Sequence, residues 1–202
     1  ELRGDIINST LNCRGDLVLC GEIQDCCQPG VEIGGKLCCK GIKASRVLCQ
    51  GSISSEDTVE GSEIAADGGL EAEKGSLRGG QIECGGNVVL RELGDPSGGE
   101  TRLEITIGPY NKALLMQMTK ELIRLKETPG ENQSLIDDLN AQIKASETEL
   151  DGELNRFLNR PGDERLGLRV LGTVHPPVLA RVLKHEYRVQ SRQNGLELWE
   201  KD

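Results

Sequence analysis

Over the first hundred residues, aliphatic side chains alternate with polar ones in runs too short for an amphipathic helix. Leu17 and Leu19 alternate with Asp16 and Val18, and Ile82 and Cys84 flank Glu83. A period of two marks strands with one buried face. Gly-x-aliphatic triplets begin at residues 4, 15, 35, 51, 68 and 86, and the last four starts are 16, 17 and 18 residues apart. Each unit holds further strand-like pieces, such as GEI from 21, VEI from 31, SEIAA from 62, QIEC from 81 and RLEI from 102. Glycines separate them, where corners are expected to need positive φ. Three short strands per unit describe a parallel β-helix whose coils stack at about 4.8 Å. About six coils, rising roughly 25 to 30 Å, are expected on that spacing.

From Asn111 the period changes. Leu115, Met118, Leu122 and Leu125 step by three and four residues, the seam of a coiled coil. Ile136, Leu139, Ile143, Leu150, Leu154 and Phe157 continue a second seam, with Ser146 or Glu147 as a polar layer. A short Pro129-Gly130 turn joins them, so the two fold back as an antiparallel hairpin, the first arm reaching roughly 25 Å and the second somewhat more. So thin a hairpin buries little alone. It is expected to lean on the β-helix or to meet another hairpin, making a homo-oligomer through this arm.

Strand character then returns in RVLGTV, VLARVL, YRVQS and LELW, bounded by Pro176-Pro177 and Asn194-Gly195, with Tyr187 and Trp199 expected to cap the open end. The predicted fold is mainly β with α: a right-handed parallel β-helix (solenoid) interrupted by an inserted antiparallel coiled-coil helical hairpin. The coils occupy 1–108, the hairpin 109–159 and a returning β segment 160–202.

Composition sharpens this picture. Aromatics are only 2% of the chain, with one Trp, one Phe and two Tyr, so the core must be thin and built of small and branched aliphatics. That interior suits the eight cysteines, Cys13, Cys20, Cys26, Cys27, Cys38, Cys39, Cys49 and Cys84. Alignment on the glycines turns Leu37, Cys39 and Cys84 inward and Cys38 outward. Reduced Cys behaves as a small hydrophobe, adjacent pairs are poorly shaped for disulfides, and no CxxC pair signals zinc. Free thiols point to a reducing compartment.

The net charge is −9. Residues 1–107 hold 10 Lys and Arg against 18 Asp and Glu, 108–155 hold 5 against 9, and 156–202 hold 9 against 6. No basic face offers itself to nucleic acid, and no run of about 18 apolar residues spans a membrane. The opening at Glu1 reads as a processed or cut chain.

Chemistry-bearing constellations are sparse. His175 and His185 stand without a flanking Ser or Cys motif and read as structural or solvated. Glu56, Asp57, Glu60, Glu63 and Asp67 lack the aromatic platforms of a sugar-cleaving groove and read as charged outer positions that protect sheet edges. Arg3-Gly4-Asp5 and Arg14-Gly15-Asp16 are explained by Gly-Asp at coil corners. GGQIECGG has no following helix and is no dinucleotide fingerprint, and the strict six-residue period of acyltransferase solenoids is absent. No catalytic, cofactor-binding or metal-ligating residue is assigned, and no cofactor is expected.

GSLRGGQIECGGNVVLRELGDPSGGETRLEITIGPYNKAL, followed by the helical segment and RVLGTVHPP, resembles the flagellar assembly protein A (FapA) family. The resemblance implies glycine-rich β-helix coils, a coiled-coil arm and a closing β segment. It also implies a cytoplasmic bacterial protein linked to flagellar assembly or polar placement, without enzymatic activity. The chain is expected to depart from the family in lacking a separate N-terminal domain, and it carries His175-Pro176-Pro177 where a Tyr-Pro-Gly turn is common. The leading expectation is a non-enzymatic scaffold acting through protein partners. A self-assembling element like bactofilins or the C-terminal domain of MinC is the alternative, and a polysaccharide-acting β-helix enzyme the third class.

Overall fold

The computed structural model describes residues 1–27, 30–127, 129–161 and 164–200, without the side chains of 129–131. Short strands come first: β1 (Ile6–Ile7), β2 (Leu11–Cys13), β3 (Leu17–Val18), β4 (Glu22–Gln24), β5 (Val31–Ile33), β6 (Leu37–Cys39), β7 (Gly41–Lys43), β8 (Arg46–Cys49), β9 (Ile53–Ser55), β10 (Val59–Glu60) and β11 (Glu63–Ala66). Longer ones follow in β12 (Leu70–Arg78), β13 (Gly80–Cys84), β14 (Val88–Leu93) and β15 (Thr101–Ile105). The helices α1 (Pro109–Lys126) and α2 (Pro129–Leu158) precede β16 (Gly167–Val174), β17 (Val178–Val182), β18 (His185–Val189) and β19 (Gln193–Trp199).

Alternation winds these strands into three ladders of inward side chains, each rung paired in parallel with the next. One runs Ile6, Ile23, Ile42, Val59, Leu77, Leu93, Val174. The second runs Leu11, Val31, Val47, Ile64, Ile82, Leu103, Ala180. The third runs Leu17, Leu37, Ile53, Leu70, Val88, Leu168. Together they form the single long core, with thiols among the aliphatics. In the later coils the first and third faces merge, β12 pairing with β9 at Leu70 and with β10 at Leu77.

The solenoid makes about five turns, from Ile6 to Leu93 in six rungs of the first ladder before the helices, with Val174 a seventh after them. The triplet at residue 4 places Ile6 in the first ladder, whereas the triplets at 15, 35, 51, 68 and 86 place Leu17, Leu37, Ile53, Leu70 and Val88 in the third. The expected positive φ is found at Gly30, Gly61, Gly79, Gly80 and Gly94, whereas the corner glycines before the third ladder have a different cause. Gly51, Gly68 and Gly86 do not have positive φ; a Cβ on them would lie 2.7 Å from Gly35 O, 2.5 Å from Ser52 N and 2.7 Å from Gly69 N. Close stacking of coil on coil excludes a side chain there. Left-handed backbone belongs to another corner, after the first ladder, at Asn8 (φ 45°), Asp25 (56°), Ala44 (43°), Gly61 (55°) and Gly79 (62°). Beside it, buried Ser45 and Ser62 link coils: Cys26 N–H donates to Ser45 Oγ at 3.0 Å and Ser45 N–H to Ser62 Oγ at 3.2 Å.

Two helices interrupt this winding. Met118, Ile136 and Ser146 are buried, and Leu115, Leu122, Leu125, Leu139, Ile143, Leu150 and Phe157 are half-buried, so α1 and α2 pack on the expected side chains. Leu154 departs, at 42% exposure, and the polar layer is Ser146, since Glu147 is exposed. Of the expected turn, Thr128 lies outside the described residues, while Pro129 and Gly130 already belong to α2.

The closing strands change direction. β18 pairs antiparallel with β17 and β19 with β16, ending both sheets. Tyr187 lies opposite inward Ala180 but stays 42% exposed. Trp199 does not cap the open end: Leu198 packs toward the core, and strand alternation turns Trp199 outward over Gly167. Asn194-Gly195 sits inside β19, where the register shifts in a bulge, and does not bound the strand.

Candidate functional site

The most concentrated polar group lies where the helices meet the solenoid. Gly108 (φ 58°) turns the chain, and Pro109 opens α1 at a position where its missing N–H costs nothing. The next residue, Tyr110, settles on Leu48 and Ala65, apolar side chains on the outer faces of β8 and β11, with Ala113 and Leu114 beside it. Its hydroxyl donates to Glu32 Oε1 at 3.3 Å, and burial raises its phenol above the ordinary range.

Asp67, in the corner after β11, receives this helix start. Its Oδ1 accepts the Tyr110 N–H at 2.8 Å and its Oδ2 accepts Asn111 Nδ2 at 3.2 Å. The same Asn111 amide donates to Glu153 Oε1 on α2 at 3.0 Å. One fully buried amide thus bridges two carboxyl groups. Glu153 Oε2 and Asn111 Oδ1 remain buried without a protein partner. Burial, then the facing Glu153 carboxyl, pushes Asp67 up to about 8. The arrangement favours a proton on the pair, and it clamps α1 and α2 to β11.

This junction carries no local signature in the sequence. Among Glu56, Asp57, Glu60, Glu63 and Asp67, the first four are exposed, as expected of outer positions, but Asp67 is half-buried and bonded to α1. The nearest signal is Asn111, a polar residue one turn into a helix that follows Gly-Pro. His175 lies half-buried in the corner before β17 and His185 exposed at the head of β18. In both Arg-Gly-Asp stretches the carboxylate serves the next coil: Asp5 Oδ1 accepts Glu22 N–H at 2.8 Å and Asp16 Oδ1 accepts Lys36 N–H at 2.7 Å.

The thiols are all free. Cys26, Cys39, Cys49 and Cys84 are buried, Cys13 is half-buried, and Cys20, Cys27 and Cys38 are exposed, so each vicinal pair splits inward and outward. Burial pushes the Cys39 and Cys84 thiols up to about 12 and Cys49 to about 11. Among the described residues no three His, Cys, Asp or Glu gather as metal ligands, and no helix is long and apolar enough to cross a membrane.

Ladders, stacked corners and a helix pair clamped to the outer face define a β-solenoid domain with two helices. Residues 1–161 match the Flagellar Assembly Protein A beta solenoid domain. The chain belongs to the FapA family, with its last strands beyond the matched segment. No curated protein and no solved structure matches it.

Proposed function

We propose that the chain is a non-enzymatic scaffold of bacterial flagellar assembly, acting in the cytoplasm through protein contacts made by its helix pair. The family match over residues 1–161 carries this reading. In it, residues 1–108 form the rod, 109–159 the arm and 160–202 the closing segment. The coils wind right-handed, as parallel crossovers do. The arm is an antiparallel coiled-coil hairpin, a view supported by burial of Met118, Ile136 and Ser146 at heptad spacing. Polar placement in the cell and self-association through the arm belong to the same reading. A filament grown coil on coil is less well supported, because β18 and β19 close one end of the stack with antiparallel strands.

The test is genetic. In a flagellated bacterium, the family member is replaced by a version whose helix pair is cut to a short corner. Loss of flagella and of spreading in soft agar, with the protein still folded and abundant, is expected. Normal flagella in that strain would end the proposal.

A further inference from the structure

Besides the row of side chains that α1 and α2 turn toward each other, each helix carries a second row at heptad spacing. On α1 it is Lys112, Met116, Thr119, Ile123 and Lys126. On α2, Asp137, Lys144, Glu147, Asp151, Leu154 and Leu158 keep the same alternation of steps. All of these side chains are exposed. Single exposed apolar residues need no explanation, and Leu135 (55%) is one, but Met116 (59%), Ile123 (60%), Leu154 (42%) and Leu158 (67%) share this one register. A repeated a/d-type row left open to water is the pattern of a helix face that meets another helix.

Charge decides what covers it. α1 holds Lys112, Lys120, Arg124 and Lys126 against Glu121 alone, whereas α2 opposes seven acidic residues, Asp137, Glu147 and Asp151 among them, to Lys144 and Arg156. A polyanion or an acidic membrane would suit α1 but be repelled by α2. A second copy of the chain satisfies both helices at once. We infer that this face is a homodimer interface in which α1 of each protomer lies on α2 of its partner, a four-helix bundle of two-fold symmetry. The inference rests on reading the helices as an antiparallel arm. Register is selected by charge: α1 on α1 would oppose Lys112 and Lys126 to their own copies, while α1 on α2 sets them against Asp137, Glu147 and Asp151.

Analytical ultracentrifugation of the whole 202-residue chain tests this. A concentration-dependent dimer is expected for the unsubstituted chain. Met116→Glu with Ile123→Glu, both exposed in the lone chain, raises the dissociation constant by about tenfold or more without changing the circular dichroism spectrum. Lys112→Glu with Lys126→Glu makes the exposed rows of both helices acidic, and Asp137→Lys with Asp151→Lys makes the exposed rows of both basic. Each of these chains alone is monomeric, and an equimolar mixture of the two restores a dimer.

A chain that stays monomeric to about 100 μM, well above the range of specific complexes, overturns the inference. So does a dimer indifferent to all four charge reversals. A monomeric chain in a strain that still needs its helix pair to swim removes only the dimer and leaves the docking-arm reading standing.

Discussion

Ala44 occupies a backbone conformation that costs an L-residue about 1–2 kcal/mol. Its equivalents one and two coils onward are Gly61 and Gly79. Because Ala44 is exposed and loses no packing, Ala44→Gly is expected to stabilise the chain by about 0.5 kcal/mol, strain relief outweighing the added entropy of the unfolded chain. Chemical denaturation reads the change, and a destabilised variant contradicts the strain. The thiols give a second residue-scale prediction. Cys20, Cys27 and Cys38 should react rapidly with an aromatic disulfide reagent near neutral pH, Cys13 more slowly, and Cys26, Cys39, Cys49 and Cys84 only on unfolding. Rapid labelling of all eight would mean that the ladders open readily.

At this scale much was legible, because period two assigns Cys39 and Cys84 inward without any tertiary information. The reason for Gly51, Gly68 and Gly86 was not: a Cβ clash with the coil below is a contact between residues some 17 positions apart. Nor were Ser45 and Ser62 legible as coil-linking hydroxyls, since Ser reads locally as turn chemistry.

Between elements, the strength of the clamp depends on the protonation of Asp67. Its folded value of about 8 stands above its ordinary 3.8, so the docked state binds the proton more tightly than the released one. For a carboxyl shifted upward, the favourable contribution is complete at acid pH and declines as pH rises through the interval from about 4 to about 8. The facing Glu153 adds to the cost of a second negative charge at Asp67, while Glu32 and Glu149 act on the Tyr110 phenol beside it. The expected outcome is slower amide exchange of the first turns of α1 at pH 5.5 than at pH 8.5, after correction for intrinsic rates. In Asp67→Asn the side-chain carbonyl still accepts the Tyr110 N–H, but the new amide replaces the Oδ2 that accepts from Asn111, whose unpartnered Oδ1 must turn to meet it. That variant should lose most of the pH dependence of the junction. An unchanged pH profile would exclude Asp67 as the titrating group. Heptad spacing made the helices legible, but not this clamp, because Asp67 and Tyr110 are 43 residues apart and Asp67 resembles its four solvated neighbours in sequence.

For the molecule as a whole, the spacing of rungs shows where the helices were added. The second ladder's face hands over to the third after four residues at Cys13 to Leu17, Ile33 to Leu37, Cys49 to Ile53, Ala66 to Leu70 and Cys84 to Val88. After Ile105 the next rung is Leu168, paired directly on Val88. The helix pair therefore fills a single corner, and the winding resumes in register. Residues 106–167 should be replaceable by Gly-Gly-Asn, the corner that Gly85, Gly86 and Asn87 make one coil earlier. Nearest-neighbour stacking supplies most of a solenoid's stability, so the shortened chain should keep its strand signal in far-ultraviolet circular dichroism and melt cooperatively. Uncovering Leu48 and Ala65 should cost about 1–3 kcal/mol. Loss of the strand signal would mean that the helices hold the last coils in place, whereas a folded, cooperative rod separates the stabilising part of the molecule from the part that projects from it.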